Sequence, residues 1–198
     1  MSPRKVDKNL KRREVAKASL ELFHEIGIKK ITVAQVAKEA GIGKGTIYEY
    51  FENKEDIVFE IINIIIENYH ENFQKEIQDV HSTKKKIYHF FKFVLDDSEN
   101  SLTMLRGYQE YLSVHLSQKN TKMEEFNAAC DSFFREKLHS IVQEGIQNNE
   151  LIPEAINFVD GLISYEKGLV LQKLTNPSID INAECTKLIE SLFDLLEK

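Results

Sequence analysis

Apolar residues recur at steps of three and four along most of the chain, which is the period of an α-helix with one buried face. Glycines, prolines and pairs of polar residues interrupt this pattern at intervals. No stretch shows the convincing alternation of a half-buried strand. The pattern therefore predicts an all-α chain of about nine helices, which span residues 8–26, 32–40, 43–51, 54–79, 83–97, 101–118, 121–148, 153–175 and 180–197.

Several of the predicted helix ends carry specific signals. Gly27 is placed to end the first helix, and Gly41 to end the second in a left-handed conformation. Thr32 and Gln35 have the spacing of a capping box, in which each side chain bonds to the other residue's backbone amide. Asn53 is suited to cap the fourth helix, whose apolar residues lie on more than one side. We expect this long helix to contact both an N-terminal unit and the rest of the chain.

Residues 32–51 carry the pattern that is most informative about function: two short helices joined by a tight turn containing glycine. This arrangement is a helix-turn-helix, whose second helix can enter the major groove of DNA. Apolar residues are expected to anchor both helices; they are Val33, Val36, Ala37, Ile42, Ile47 and Phe51. A helical wheel places a cation, a glycine, an aromatic ring and an anion on the opposite face; they are Lys44, Gly45, Tyr48 and Glu49.

The outward face of the second helix suits a major groove. Lys44 can meet guanine acceptors or phosphate, Tyr48 can meet phosphate or a thymine methyl group, and Gly45 lets the backbone approach closely. Groups near helix N-termini, which favour anions, add candidate phosphate contacts; they are Thr32, Thr46 and Lys54. The pattern leaves open a structural helical hairpin whose tyrosines are partly buried.

Charge is distributed unevenly over the 198 residues, whose formal net charge is −6. Residues 1–54 carry a net charge of +5 and the remaining residues −11. A basic end on an acidic body favours local binding to nucleic acid and limits non-specific binding to other polyanions. A solvated helix start would explain the same cations equally well; they are Arg4, Lys5, Lys8, Lys11, Arg12 and Arg13.

Other classes of function have no support in the sequence. Two cysteines, Cys130 and Cys185, cannot form a disulfide framework, and no run of about 20 apolar residues could span a membrane. The six histidines show no zinc-site spacing, and there is no HExxH, P-loop or GxGxxG motif. We therefore expect a cytoplasmic protein without metal or cofactor that is not an enzyme.

The stretch from about Arg12 to Ile57 resembles the DNA-binding domain of the TetR family of bacterial transcriptional regulators (TetR/AcrR-like). The matching residues are Ala16, Leu22-Phe23, Gly27, Ile31-Thr32-Val33, Val36-Ala37, Ala40-Gly41-Ile42, Lys44-Gly45-Thr46-Ile47-Tyr48, Tyr50-Phe51 and Asn53-Lys54-Glu55-Asp56. The chain departs from the family at Gly43, where Ser is common, and at Glu49, where an aromatic residue or His is frequent. Beyond this stretch it resembles the family in length and helix count.

The resemblance implies a homodimer whose two heads bind double-stranded DNA at a palindromic operator, and a helical body whose small effector weakens that binding. It implies a three-helix DNA-binding domain at residues 1–53 and a helical ligand-binding and dimerisation domain at residues 54–198. The residues that it implies in DNA contact are Thr32, Lys44, Gly45, Thr46, Tyr48, Tyr50 and Lys54.

The helical body is rich in aromatic residues, nine of which lie between residues 88 and 134. An aromatic lining suits a pocket for an apolar effector, although aromatic residues at helical spacing also form ordinary core. The expected pocket residues are Phe90, Phe93, Met104, Tyr108, Tyr111, His115, Cys130 and Phe134.

The last two predicted helices carry long apolar stripes, and Gly161 and Gly168 would let another helix approach one side closely. Pairing both helices with their symmetry mates would give the four-helix interface that the family uses; the alternative is internal core. The expected interface residues are Leu162, Leu169, Leu188, Leu192 and Leu195.

Together with these features, the resemblance implies a transcriptional repressor that a small, largely hydrophobic effector releases from its palindromic operator. The alternative is a helical protein-interaction module without sequence-specific DNA binding, whose basic N-terminal end acts electrostatically. A gel shift that falls steeply with salt would distinguish the first from the second.

Overall fold

The computed structural model describes residues 7–117 and 121–198, so that Arg4 and Lys5 of the basic end lie outside the described residues. Within these ranges the regular elements are helices, with one isolated antiparallel bridge between Leu151 and Glu197. The all-α prediction is therefore confirmed. A 3-10 helix spans Pro153–Phe158, and the α-helices are α1 (Lys8–Ala18), α2 (Leu20–Lys30), α3 (Val33–Glu39), α4 (Lys44–Ile47), α5 (Lys54–Ile77), α6 (Thr83–Phe90), α7 (Lys92–Leu95), α8 (Glu99–Ser117), α9 (Thr121–Gln147), α10 (Val159–Thr175) and α11 (Ile181–Leu196).

The described residues contain more helices than the nine predicted because three of the predicted helices are interrupted. The first is divided at Ser19, a buried residue whose hydroxyl donates to the Val15 carbonyl at 2.9 Å and so competes with the backbone ladder. The fifth is divided at Phe91, which separates α6 from α7. The eighth begins as a 3-10 helix, where Pro153 has no amide hydrogen to donate.

Backbone contacts divide the chain into two compact units. The first unit contains the residues up to Asn72, together with Glu110–Leu112. The second unit contains Phe73–Gln109 and Ser113–Lys198. We propose that the boundary between the DNA-binding and ligand-binding domains lies after residue 53, because a boundary there separates the predicted helix-turn-helix from the long helix α5.

The first unit encloses a small apolar core. Gly27 adopts φ 73°, so helical geometry stops there as predicted, although one more helical turn follows within α2. A Cβ at Gly27 would lie 2.6 Å from Glu110 Oε2, the oxygen that accepts the Lys29 amide at 3.2 Å. Buried apolar side chains come from every helix of this unit and from the turns between them; they are Val15, Ala16, Phe23, Ile28, Ile31, Val36, Ala37, Ile47, Phe51, Ile57, Val58, Ile61, Ile64 and Tyr111.

The second unit has the larger core, to which the end of α5, the helices α6 to α11 and the 3-10 helix all contribute buried residues. Ion pairs Lys167–Asp131 and Arg135–Asp160 join α10 to α9. Lys173 of α10 donates to the backbone carbonyl of Val94 at 2.6 Å and so ties α10 to α7. These polar links fix which face of α10 is turned toward the core.

Three further features concern the part of the chain that the structure describes. None of its helices combines the length and apolarity needed to cross a membrane. No group of three or more His, Cys, Asp or Glu side chains is arranged there to hold a metal ion. Cys130 and Cys185 are both free thiols.

Candidate functional site

Helix α3 is held at its start by the predicted capping box. Thr32 Oγ1 accepts from the Gln35 amide at 3.3 Å, and Gln35 Oε1 accepts from the Thr32 amide at 2.9 Å. Val36 and Ala37 of this helix are 1% and 3% exposed, as expected for anchors. The first helix of the helix-turn-helix therefore has a fixed start and a fixed buried face.

The turn from α3 to α4 is closed by backbone hydrogen bonds. Gly41 has φ 65°, which confirms the left-handed stop. Its amide donates to the Lys38 carbonyl at 3.1 Å, and the Ile42 amide donates to the Ala37 carbonyl at 3.0 Å. These two bonds form a Schellman motif, which sets the direction in which α4 leaves α3.

Helix α4 is shorter than the predicted span of residues 43–51. Gly43 at its N-cap supplies no side-chain hydrogen bond, and Gly45 inside it weakens the helix. Beyond the four-residue helix the amides of Tyr48 and Tyr50 bond to carbonyls three residues back. The segment thus continues as tight turns beyond the short helix.

The outward face of α4 is exposed. Lys44, Gly45 and Glu49 lie at the surface, and Tyr48 keeps 53% of its surface exposed. On the opposite side Ile47 is fully buried. A Cβ at Gly45 would meet no atom within 4 Å, so the fold of the chain does not itself require glycine there. A cation, an aromatic ring and a bare backbone position are therefore available together to a partner.

The other predicted DNA contacts differ in exposure. Thr32 is exposed, whereas Thr46 and Tyr50 are half-buried. The ammonium group of Lys54 donates to the Lys29 carbonyl at 3.0 Å, and it therefore also stabilises the end of α2. Contact of these four residues with DNA remains a prediction.

Arg12 of α1 bonds both to the segment that follows α4 and to the start of α5. Its Nη1 donates to the Tyr50 carbonyl at 2.7 Å, and its guanidinium lies 4.5 Å from the centroid of the Phe51 ring. Asp56 at the start of α5 accepts from Nη1 at 3.0 Å and from Nη2 at 2.8 Å, and Glu60 accepts from Nη2 at 3.3 Å. The hydrogen bond with Asp56 raises the pKa of Arg12, so the side chain stays charged.

Three cations of the basic end form ion pairs with carboxylates of the first unit. Lys11 pairs with Glu14 at 2.9 Å, Arg12 pairs with Asp56, and Arg13 Nη1 donates to Glu67 at 2.9 Å. The hydrogen bond from Arg13 lowers the pKa of Glu67. The partners of Arg12 and Arg13 lie 44 and 54 positions away in the sequence, so a count of charges along the chain could not predict these two pairs.

The predicted effector residues fall in both units. Tyr111 is buried and belongs to the first unit, whereas the other seven belong to the second. The rings of Phe90 and Phe134 meet edge to face at 6.4 Å. Burial raises the pKa of Tyr108 to about 12 and that of Cys130 to about 11, and Cys130 contributes electrostatically to the raised pKa of Tyr108. The remaining three are half-buried; they are Phe93, Met104 and His115.

Glu166 of α10 is a candidate functional residue that the sequence analysis missed. It is half-buried, and burial raises the pKa of its carboxyl group to about 7. Its charge contributes to the raised pKa of Tyr108. The sequence did carry a signal for Glu166, because this acidic residue stands at a core-facing position in a stripe of α10 that is otherwise apolar.

The two described hollows of the second unit lie away from the predicted effector residues. One runs along the polar side of α9, beside Arg135, His139 and Gln143. The other is an apolar gap of about 20 Å³ that includes Ile87 and Val142 in its lining. Neither is lined by any of the eight predicted effector residues.

The predicted interface residues divide between core and surface. Leu162 and Leu169 are 5% and 1% exposed within the single chain, so the core alternative describes their position. Leu188 and Leu192 are half-buried, and Leu195 is 73% exposed. A periodic stripe does not tell which of its residues face the chain's own core.

Comparison with known proteins supports the helix-turn-helix assignment. Residues 15–61 match the family model described as bacterial regulatory proteins, tetR family. The fatty acid metabolism regulator protein of Bacillus subtilis (strain 168) is 28% identical over 143 residues, which are 70% of this chain and 69% of that protein.

Solved structures share the fold over most of their length. A TetR transcription regulator from Haloarcula marismortui has a TM-score of 0.73 at 14% identity and covers 96% of this chain and 100% of its own. The transcriptional regulator FadR from Bacillus subtilis, in complex with stearoyl-CoA, has a TM-score of 0.59 at 24% identity and covers 92% of this chain and 95% of its own. Residues 15–61 thus match the DNA-binding segment of bacterial regulatory proteins of the tetR family, and the helical fold of the chain is shared with solved TetR-family regulators.

Proposed function

We propose that the chain is a transcriptional repressor that binds operator DNA as a homodimer and leaves it when a small, largely hydrophobic effector binds. The exposed face of α4 carries this proposal, since Lys44, Gly45 and Tyr48 project from a segment anchored by buried residues. A cation and an aromatic ring beside bare backbone suit the acceptors, phosphates and methyl groups around a major groove.

Dimerisation is part of the proposal because one four-residue helix offers too few base contacts for useful specificity. Two copies on one face of the duplex would place their recognition helices about 34–36 Å apart. Exposed apolar side chains on the last two helices, Leu171 at 52% and Leu195 at 73%, support an interface there. Gly161 supports it as well, because no atom lies within 4 Å of the position that its Cβ would take.

A hydrophobic effector is supported by the aromatic residues of the second unit and by two of the compared proteins. One is a fatty acid metabolism regulator, and another was solved with stearoyl-CoA. Both favour an effector with a long apolar part. Such a ligand would release DNA by binding better to a conformation whose two recognition helices do not match successive grooves.

Selection of random duplexes by the purified full-length chain tests the DNA-binding part of the proposal. We expect enrichment of an inverted repeat whose half-sites lie about 10–10.5 base pairs apart, or a multiple of that spacing. Enrichment of a lone half-site would contradict the dimer, and absence of any enriched sequence would favour a protein-interaction module. Ten-carbon amphiphiles with cationic, neutral and anionic head groups, added to the selected duplex complex, then test release; no release by any of them would contradict the hydrophobic effector.

A further inference from the structure

Two adjacent lysines, Lys29 and Lys30, end α2, and both are exposed. On either side of them Ile28 and Ile31 are 7% and 1% exposed, so the backbone of this segment is anchored in the core of the first unit. Within the part of the chain that the structure describes, no carboxylate forms an ion pair with either ammonium group. The segment therefore combines a fixed backbone with two unpaired positive charges.

Three hydrogen bonds hold the backbone beneath these two side chains. The Lys29 amide donates to Glu110 Oε2 at 3.2 Å, and the Lys29 carbonyl accepts from Lys54 Nζ at 3.0 Å. The Ile31 amide donates to the Gly27 carbonyl at 3.2 Å. All three bonds use main-chain atoms of the segment, so they leave the ammonium groups of both lysines free. A segment that is ordered before it meets a partner loses little entropy on binding.

The two lysines lie between two of the predicted phosphate contacts. Lys54 reaches the carbonyl of Lys29 with its ammonium group, which has three hydrogens to donate. Thr32, the exposed N-cap of α3, follows Lys30 by two residues, so the Cα atoms of Thr32 and Lys30 are at most about 7 Å apart. Three lysines and a threonine therefore border one patch of the surface.

The position of unpaired cations matters in the first unit because this unit has about as many carboxylates as cations. Lys11, Arg12 and Arg13 of the basic end are engaged in ion pairs. A polyanion is attracted by local positive potential at the surface, which net charge does not describe. Lys29 and Lys30 are therefore better suited to attract a phosphate backbone than these three cations are.

We propose that Lys29 and Lys30 bind the phosphate backbone of DNA beside the groove that α4 enters. Each ammonium group would contact a phosphate oxygen, while Lys54 holds the segment in place through the Lys29 carbonyl. Contacts of this kind fix the register of a protein on the duplex and carry no sequence information. This inference rests on the proposed function as a DNA-binding regulator, and it adds two contacts that the helix-turn-helix pattern did not indicate.

A purely structural role for the two lysines leads to a different expectation. Cations in the last turn of a helix can stabilise its C-terminal end. Here Gly27 interrupts helical geometry two residues before Lys29, and Lys54 already donates to the Lys29 carbonyl. Because both side chains are exposed and unpaired, neutral replacements should leave the unfolding temperature unchanged. A structural role would lower it.

Fluorescence anisotropy of the full-length chain tests the proposal on two duplexes, the selected operator and a random sequence of equal length. Lys29→Gln/Lys30→Gln should weaken binding to both by a similar factor of about ten or more, and it should lower the slope of log affinity against log salt by about two per head. Lys29→Arg/Lys30→Arg keeps both charges and should restore affinity and slope. Lys85→Gln/Lys187→Gln removes two exposed lysines from the second unit and, as the control for net charge, should keep the slope of the unchanged chain.

A glutamine variant with the slope of the control, a loss confined to the operator, or a loss explained by a lower unfolding temperature would overturn the proposal. Its failure is separable from failure of the proposed function. If the glutamine variant binds as the control does while Lys44→Ala and Tyr48→Ala lose operator binding, the regulator stands and the phosphate contacts fall. If the glutamine variant loses binding to random duplexes but no operator sequence is enriched, the phosphate contacts stand and the sequence-specific repressor falls.

Discussion

Arg12 and Asp56 form a two-point ion pair in which Nη1 and Nη2 of the guanidinium donate to the two carboxylate oxygens at 3.0 and 2.8 Å. The pair joins α1 to the first turn of α5, 44 positions further along the chain. Because Arg12 also donates to the Tyr50 carbonyl, it fixes the segment just beyond α4. The hydrogen bonds of Arg12 therefore stabilise the segment that carries the exposed Tyr48.

Replacing Arg12 by Lys should destabilise the first unit although the charge is kept. Lysine cannot form the two parallel hydrogen bonds with Asp56 or lie flat over the Phe51 ring, so we expect a loss of about 1–2 kcal/mol. Thermal unfolding would measure the loss, and a double-mutant cycle with Asp56→Asn should give a coupling of about 0.5–3 kcal/mol. Additive effects of the two substitutions would show that the pair contributes no stability.

Replacing Gly145 by Ala should loosen the packing of α6 on α9. Its Cβ would lie 2.5 Å from Thr83 Oγ1, and both residues are buried. Overpacking of this kind costs about 1–3 kcal/mol, which urea unfolding can measure. The double variant with Thr83→Ala removes the two closest atoms and should recover part of the loss; a double variant less stable than Gly145→Ala would disprove the steric explanation.

DNA binding should weaken steeply with salt. A dimer that makes about 6–10 phosphate contacts loses roughly 10³–10⁵-fold in affinity between 50 and 200 mM salt. Arg13 is paired with Glu67, so Arg13→Ala should change the slope of log affinity against log salt by less than about one per head. Fluorescence anisotropy of a selected duplex gives both slopes, and a flat salt dependence would count against phosphate binding.

Glu49→Ala should change base preference more than it changes overall affinity. Glu49 lies exposed beside Tyr48 on the outward face, where a carboxylate can accept from a cytosine amino group but is repelled by phosphates. We expect the variant to lose about 1–3 kcal/mol of discrimination at one base pair in each half-site and to bind random DNA more tightly. Unchanged preference at every position of a mutated operator panel would show that Glu49 points away from the bases.

The sequence was sufficient to predict features that depend on neighbouring residues. The capping box at Thr32, the left-handed Gly41 and the outward Lys44 and Tyr48 follow from short spacings and from the period of the helix. All four are local, so each could be placed before the position of any other element was known.

Features that depend on distant partners could not be predicted in this way. The ion pairs of Arg12 and Arg13 join residues 44 and 54 positions apart, and the core position of Leu162 depends on which face of α10 the rest of the second unit covers. Ser19 divides the first predicted helix through a hydrogen bond that the apolar period does not encode. Glu166 was overlooked because the apolar residues around it were counted and the acidic exception among them was not.

Equilibrium binding of Lys44→Ala and Tyr48→Ala to a selected operator duplex, by fluorescence anisotropy, is the most direct test of the account. Both side chains lie on the exposed face of α4, so neither change should shift the unfolding temperature or the sedimentation of the proposed dimer. Each should weaken operator binding by about tenfold or more, whereas Lys187→Ala, which removes an exposed lysine from α11, should bind as the unchanged chain does. Unaltered operator affinity in both α4 variants would contradict the assignment of this face to DNA.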